Sequence, residues 1–375
     1  MEKLTTAELK RVNRKNILKF IYRERKTAKQ EIAAHLRLSL PPVTQCLREL
    51  IESGLIEKNG YFESSGGRKA EGITFVASAK LAVGIELLID SVHMVAINLY
   101  GNIVRQETLA MLFRHHDDYY AEVCRSVLEF IGALRVSSKR LLGIGIVLQG
   151  LVSSDGKEVT YGKILGCTGL TIDRFTRHLP YPCIMIHDAE AAANVELWHS
   201  PSMKDAIFFH IRSNLSGAII VGGKFLKGIE LKSGVFEHMT IVLDGKPCYC
   251  GKRGCMDAYC SLRMLDDNPS AESIAAFFAR LDKGETAARA RWAEYLYYLA
   301  MAIDNVHMLM DSNVILGGYL ARYIKPSDIH ELLRLVRERS AFPTQREFIK
   351  NSLCSDIPFA KGGALPFAQT YLDGL

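Results

Sequence analysis

The chain has 375 residues, 48% apolar and 23% charged, the balance of a folded globular protein rather than a disordered one. No run of about 18 uncharged apolar residues appears, which excludes a membrane-spanning helix. Of 47 Lys/Arg and 41 Asp/Glu, residues 1–72 hold 15 Lys/Arg and 9 Glu, so that segment carries the whole net charge of +6. A basic module on a neutral body predicts a polyanionic partner.

The start, Met1 to Glu8, is polar and acidic and lacks the basic-then-apolar pattern of a secretory signal, so a cytoplasmic location is expected. Thiols stay reduced there, and nine cysteines, an odd count, then read as buried thiols or metal ligands rather than disulfides. The module, residues 1–72, opens with a predicted helix from Ala7 to Arg25, its apolar face at Val12, Ile17, Leu18, Phe20 and Ile21. Thr27 is the predicted N-cap of a second helix, Ala28 to Leu36, with Glu31 near the capping-box position. A third helix is predicted from about Pro41 to Ser53, with Val43, Cys46, Leu47, Leu50 and Ile51 inward and Gly54 as its stop. Two short helices about a tight turn are a helix-turn-helix, which sets the start of the second helix in a major groove. Pro42, Thr44, Gln45 and Arg48 are the exposed residues there, candidates for base and phosphate contacts. Asn59-Gly60 between short apolar stretches predicts a hairpin, and Gly67, Arg68 and Lys69 a basic wing entering a minor groove; a plain linker is the other reading.

The body, 73–375, alternates strands and helices. Strands are predicted at Ala82 to Asp90, Val92 to Leu99 and Ile103 to Thr108, an antiparallel start to a sheet. Tyr119 to Leu134 reads as a helix, Leu141 to Leu148 and Cys183 to Ile186 as strands, and Ala189 to Trp198 as a helix. Ile207 to Ile211 and Gly217 to Val221 form a second strand pair, helices follow at about 271–282 and 286–310, and Val314 to Leu316 is a strand. Two strand-rich starts, each followed by helices, predict two similar α/β halves with a ligand cleft between them.

The sharpest chemical signal lies at 238–255. Cys248, Cys250 and Cys255 fall within eight residues, His238 precedes them, and Gly251 and Gly254 let the backbone fold tightly. Three thiolates and one imidazole predict a closed tetrahedral structural zinc site with no position left for a reactive water. Cys260 is a fifth candidate, but its predicted helix, Met256 to Leu265, favours a core thiol.

At these residues the chain resembles the ROK family of bacterial repressors and sugar kinases. Gly234-Val235-Phe236-Glu237-His238 through Cys248-Tyr249-Cys250-Gly251-Lys252-Arg253-Gly254-Cys255-Met256-Asp257 looks like the family signature, and the histidine–three-cysteine spacing matches in full. Leu142 to Val152 looks like the strand entering the sugar cleft, His187-Asp188-Ala189-Glu190 is similar to the Asn-Asp-Ala-Asn-like element, and Gly317-Gly318 matches the glycine pair near the kinases' adenosine pocket. The resemblance implies an α/β, actin-like two-lobed body with ribonuclease H-like halves, preceded by an α-rich winged helix-turn-helix domain. The lobes would span roughly 73–187 plus a C-terminal helix, and 188–355. It implies the regulator branch, similar to xylose- or N-acetylglucosamine-type repressors. Effector contacts would fall at Gly150, His187, Asp188, Glu237, His238 and Asp257. Asp188 aligns with the kinases' general base, although an Asp before a helix also serves as a cap.

The departures carry the functional reading. Leu88 and Ile89 replace the glycine pair of the kinases' Asp-x-Gly-Gly-Thr loop and offer no nest of amides to phosphates, and the second phosphate loop reads Arg212-Ser213-Asn214-Leu215-Ser216-Gly217. No ATP binding and no kinase activity are expected. Val235 replaces a glutamate that grips sugar hydroxyls, and Asp257 a glutamate. The expected function is a repressor of carbohydrate-utilisation genes that binds double-stranded operator DNA as a homodimer or homotetramer and responds to a sugar or sugar-phosphate effector. The alternatives are a sugar kinase with an appended DNA module and a regulator controlled by a protein partner.

Overall fold

A computed structural model describes residues 5–63, 69–354 and 359–375. The first unit holds α1 (Thr6–Glu24), β1 (Lys26–Ala28), α2 (Lys29–Leu36), α3 (Leu40–Glu52), β2 (Ile56–Tyr61) and β3 (Glu71–Phe75). Thr5 and Glu8 close a capping box on α1, and Ile17, Leu18, Phe20 and Ile21 pack against Ile32, Val43, Cys46, Leu47 and Leu50. Val12, expected on that face, is 42% exposed because the first turns of α1 project beyond the core.

Two local expectations are corrected. Thr27 does not cap α2: it is buried in β1, and its hydroxyl donates to the Glu31 carboxylate (2.8 Å), which also accepts the Ala28 N–H at 3.1 Å. Asn59-Gly60 is not the hairpin turn: β2 runs through it with a register shift, Gly60 at φ +65°, and pairs antiparallel with β3. The wing is therefore longer than the sequence suggested, a three-stranded sheet in the order β1-β3-β2.

The first lobe contains β4 (Leu81–Leu87), β5 (Ser91–Asn98), β6 (Ile103–Ala110), α4 (Asp117–Gly132), β7 (Leu141–Leu148), the short β8 (Leu151–Val152) and β9 (Val159–Tyr161), α5 (Asp173–Thr176) and β10 (Cys183–His187). The second contains α6 (Asp188–His199), β11 (Ala206–Ile211), β12 (Leu215–Val221), β13 (Lys224–Phe225), α7 (Asp257–Cys260), α8 (Ala271–Asp282), α9 (Thr286–Leu309), β14 (Asn313–Gly318), α10 (Pro326–Arg339) and β15 (Ile349–Asn351). α11 (Phe359–Gly374) returns to the first. The helix predicted over Met256 to Leu265 is broken: α7 ends at Cys260 and a 3-10 turn follows.

The two sheets share one topology, β10-β7-β4-β5-β6 and β15-β14-β11-β12-β13. In each, the first strand is central, its next two neighbours in sequence run antiparallel on one side, and two parallel strands lie on the other. β4 is buried throughout and, apart from Glu86, apolar on both faces. Leu81, Val83, Ile85 and Leu87 pack toward α4, while Ala82 and Gly84 meet α11. A Cβ on Gly84 would lie 1.6 Å from the Ala360 carbonyl oxygen, so only glycine lets α11 lie this close. α6 and α11 pack together between the sheets. This leaves a cleft at the ends of β7 and β10, facing the β11–β12 turn.

The first unit is not strung on a linker. Its core continues into Ala82, Val95, Ile97, Leu99, Val195 and Leu365 of the body. The Tyr22 hydroxyl donates to the Leu99 carbonyl (3.0 Å), and the Arg25 guanidinium lies 3.4 Å from the Tyr100 ring centroid.

Candidate functional site

The first candidate site is the outer face of α3. Pro42, Thr44, Gln45 and Arg48 are exposed there, as expected. Thr44 donates its hydroxyl to the Leu40 carbonyl (2.8 Å), which leaves its lone pairs and methyl outward. Gln45 donates to Glu49 (3.2 Å), which Lys10 grips at 2.6 Å. Lys69 is exposed at the base of the wing; Gly67 and Arg68 lie outside the described residues.

The second is the cysteine loop. His238 ends a 3-10 turn over Phe236–His238, and backbone bridges Thr240–Cys255 and Pro247–Arg253 fold the following chain back upon it. A Cβ on Gly254 (φ +76°) would lie 1.7 Å from the Val242 carbonyl oxygen, so this turn requires glycine. The ligand atoms of His238, Cys248, Cys250 and Cys255 all lie within 4.8 Å of one another, a group that could hold a metal ion. Cys250 Sγ and Cys255 Sγ are 3.7 Å apart, as are Cys248 Sγ and His238 Nδ1, too far for a disulfide. Burial, with Lys252 and Lys163 nearby, pushes the His238 ring below its usual range, which favours the neutral form that binds metals. Cys260 is fully buried in the core against α9 and does not join the group.

The third is the interlobe cleft. Gly150, His187, Asp188, Glu237 and His238 line it together with Gln149, Tyr161, Lys163, Asn214, Ser216, Val235 and Tyr249. Asp257 stands behind the wall: its Oδ1 accepts the Leu215 N–H (2.7 Å), and its Oδ2 lies 3.8 Å from Cys248 Sγ, so it braces the cysteine loop against β12. Asp188 opens α6 and accepts the Ala189 N–H (2.8 Å) and the Ser216 hydroxyl (3.3 Å), with His187 Nε2 at 3.1 Å. Asp188 is not the N-cap of this helix: α6 begins one residue earlier than expected, with His187 at the cap position, and Asp188 is its first residue and faces the cleft. Burial, reinforced by the Asp188 and Asp257 charges, pushes the Glu237 carboxyl well above the ordinary carboxylate value. Glu237 Oε2 and Asn214 Nδ2 are buried without a hydrogen-bond partner among the described residues. Buried polar atoms on a cleft wall call for a partner, which an ordered water or a polar ligand would supply.

Glu86 of β4 and Arg212, just beyond β11, form an ion pair of 2.6 Å that bridges the lobes. Burial disfavours the Glu86 carboxylate, yet the Arg212 guanidinium, helped by His93, more than offsets this and holds it at about 2. Arg212 also lies over the Phe359 ring, which meets His210 edge-on. Burial pushes the His210 ring down to about 4, against the opposite pull of Asp188. At the replaced glycine pair, the Leu88 N–H donates to the Ser91 carbonyl, closing a tight β4–β5 turn. Sequence reasoning missed Lys163, which no local motif marks; Arg212 and Asn214 fell in the altered second phosphate loop, but their parts in the Glu86 ion pair and on the cleft wall were not foreseen.

Residues 82–337 match the ROK family, and residues 11–57 match the family described as winged helix-turn-helix DNA-binding. A putative xylose repressor of Caldicellulosiruptor sp. is 24% identical over 92% of both chains. The DNA-binding transcriptional dual regulator NagC of Escherichia coli is 23% identical over 66% of this chain and 62% of its own. Among solved structures, a ROK family transcriptional regulator, homologous to the E. coli MLC protein, superposes with a TM-score of 0.74 over 98% of each chain, at 22% identity.

Proposed function

Because this chain belongs to the ROK family and carries a winged helix-turn-helix, we propose that it is a DNA-binding transcriptional repressor of carbohydrate-utilisation genes, tuned by a sugar-derived effector in the interlobe cleft. The observation that carries this reading is the apolar core running without a break from the helix-turn-helix into the first lobe. A change in lobe angle would reach the DNA-reading helices through packed side chains, and an effector shifts that angle only by favouring one arrangement over the other. The exposed face of α3 suits a major groove, and the basic wing suits an adjacent A·T-rich minor groove. Two copies would read a pseudo-palindromic operator, with the body supplying the dimer or tetramer contacts, in the cytoplasm.

The metal site fits zinc. Two thiolates at about 2.3 Å from zinc stand about 3.8 Å apart along a tetrahedron's edge, and Cys250 Sγ and Cys255 Sγ are 3.7 Å apart, with all four donor atoms within 4.8 Å of one another. Bound zinc would supply a rigid cross-link, and His238, Cys248, Cys250 and Cys255 would fix the loop that carries Tyr249 to the cleft. The kinase alternative meets an ion-paired Arg212 and a closed turn at Leu88 where phosphates would need backbone amides. Fluorescence anisotropy on DNA upstream of the gene and neighbouring operons, across salt concentrations and against unrelated duplex, tests the reading. Tight binding that survives competitor and weakens with salt is expected; binding equal to that of unrelated duplex on all these fragments would overturn it.

A further inference from the structure

Lys163 follows β9 in the first lobe and lines the cleft together with Tyr161 and Tyr249. It enters no ion pair among the described residues. Across the cleft stands Val235, which offers no carboxylate to the lysine and no acceptor to a hydroxyl. Of the two acids that line the cleft, Asp188 is already engaged by Ala189, Ser216 and His187, and Glu237 is buried. Further in, Glu237 is 3% exposed and Asn214 is 6% exposed, each with an unpartnered polar atom. The cleft thus presents two chemistries in series, a free ammonium at its mouth and unsatisfied hydroxyl-binding groups at its base.

Resting on the effector reading above, we propose that the effector is an anionic sugar derivative, a polyol carrying a phosphate or carboxylate, whose anionic group is held by Lys163 and whose hydroxyls reach Asn214, Glu237 and Asp188. A neutral sugar would satisfy the base of the cleft and leave the ammonium without a counter-charge. A charge-assisted contact is about twice as strong as a neutral one, which makes Lys163 the residue that sets the preference. Its location also sets a rival task. A Cβ on Gly251 would lie 3.8 Å from Lys163 Nζ, and one zinc with three thiolates carries a net negative charge that the lysine could balance instead.

The experiment separates these. The full-length, metal-loaded protein is titrated calorimetrically with glucose, glucose 6-phosphate, gluconate and glucuronate, so the phosphate and carboxylate arms are read apart from the neutral control. At least one anionic probe is expected to bind about tenfold tighter than glucose or more. Lys163→Gln is expected to erase that margin, and Lys163→Arg to keep most of it. Glucose binding as tightly as the anions, or a margin that survives in Lys163→Gln, overturns the proposal while leaving the effector reading intact. Absence of heat with all four, and of any effect on DNA binding, overturns both. Metal content measured alongside shows whether Lys163→Gln has instead loosened the cysteine loop.

Discussion

Glu86 and Arg212 stand 126 residues apart in sequence, on opposite lobes, and meet at 2.6 Å. Glu86 is buried while the Arg212 side chain keeps 22% of its surface exposed, so the carboxylate depends on the arginine more than the reverse. Arg212→Ala is expected to leave the buried carboxylate with only His93, at 3.4 Å, beside it, and to cost about 3 kcal/mol at neutral pH. The cost should shrink toward pH 4, as Glu86 in the variant takes up a proton. Thermal melts of both proteins across pH check this; an equal deficit at all pH values would show that the arginine matters only through packing. No nucleotide binding is expected from either protein in a fluorescent-nucleotide titration.

His210 has no hydrogen-bond partner on either ring nitrogen among the described residues. Its pKa falls from 6.5 to about 4 on folding, so the unfolded chain binds the proton first as pH drops. The stability of the neutral ring is fully present above pH 6.5 and is lost between 6.5 and about 4. Glu86 acts lower, losing its contribution between 4.5 and about 2. Denaturant unfolding at pH 7.5, 6 and 5 should show a decline of on the order of 1 kcal/mol per pH unit. His210→Phe should flatten it, and an unchanged slope would assign the decline to other groups.

One zinc per chain is expected by metal analysis of the purified protein. Cys250→Ala should lose the metal and weaken effector binding more than DNA binding, because the loop carries Tyr249 to the cleft. Cys260→Ala is expected to keep the metal yet lose stability, since its thiol packs in the core of the second lobe. Metal loss in Cys260→Ala but not in Cys250→Ala would reverse the ligand assignment.

On DNA, Arg48→Ala is expected to weaken operator binding by about 1–3 kcal/mol. Lys69→Ala should weaken operator and unrelated duplex alike and lower the slope of log affinity against log salt by about one. Gln45→Ala should narrow the gap between the two duplexes. Anisotropy titrations on both decide; a Lys69→Ala effect confined to the operator would place that residue on a base.

Much of this architecture is written locally. α8 and β7 fall where their periodicity places them, since each buries one clear stripe or a continuous apolar run. The cysteine loop was legible because four ligands and two glycines crowd a short stretch. α11 was not legible as a periodic helix, for Gly362, Gly363 and Pro366 are poor helix formers. Its helix is set by close contact with β4, β7 and α6, a tertiary condition no window of sequence records. Asn59-Gly60 misled for a related reason: the pair supplies a positive φ equally well to a turn or to an irregular strand, and β3, ten residues on, decides. The Glu86–Arg212 bridge depends on how two lobes meet. Lys163 is marked only by the cleft it borders.

Tyr22, Arg25 and Phe75 of the DNA-reading head lock around Tyr100 of the body, with three aromatic rings in mutual contact. The head is therefore keyed to its socket. A graft of a foreign winged helix onto this body would need matching aromatic and cationic partners at those positions, or the operator would be bound without hearing the cleft. Changes in operator preference can accumulate on the outer face of α3 at little structural cost, whereas changes at Tyr22 or Tyr100 must arise in pairs.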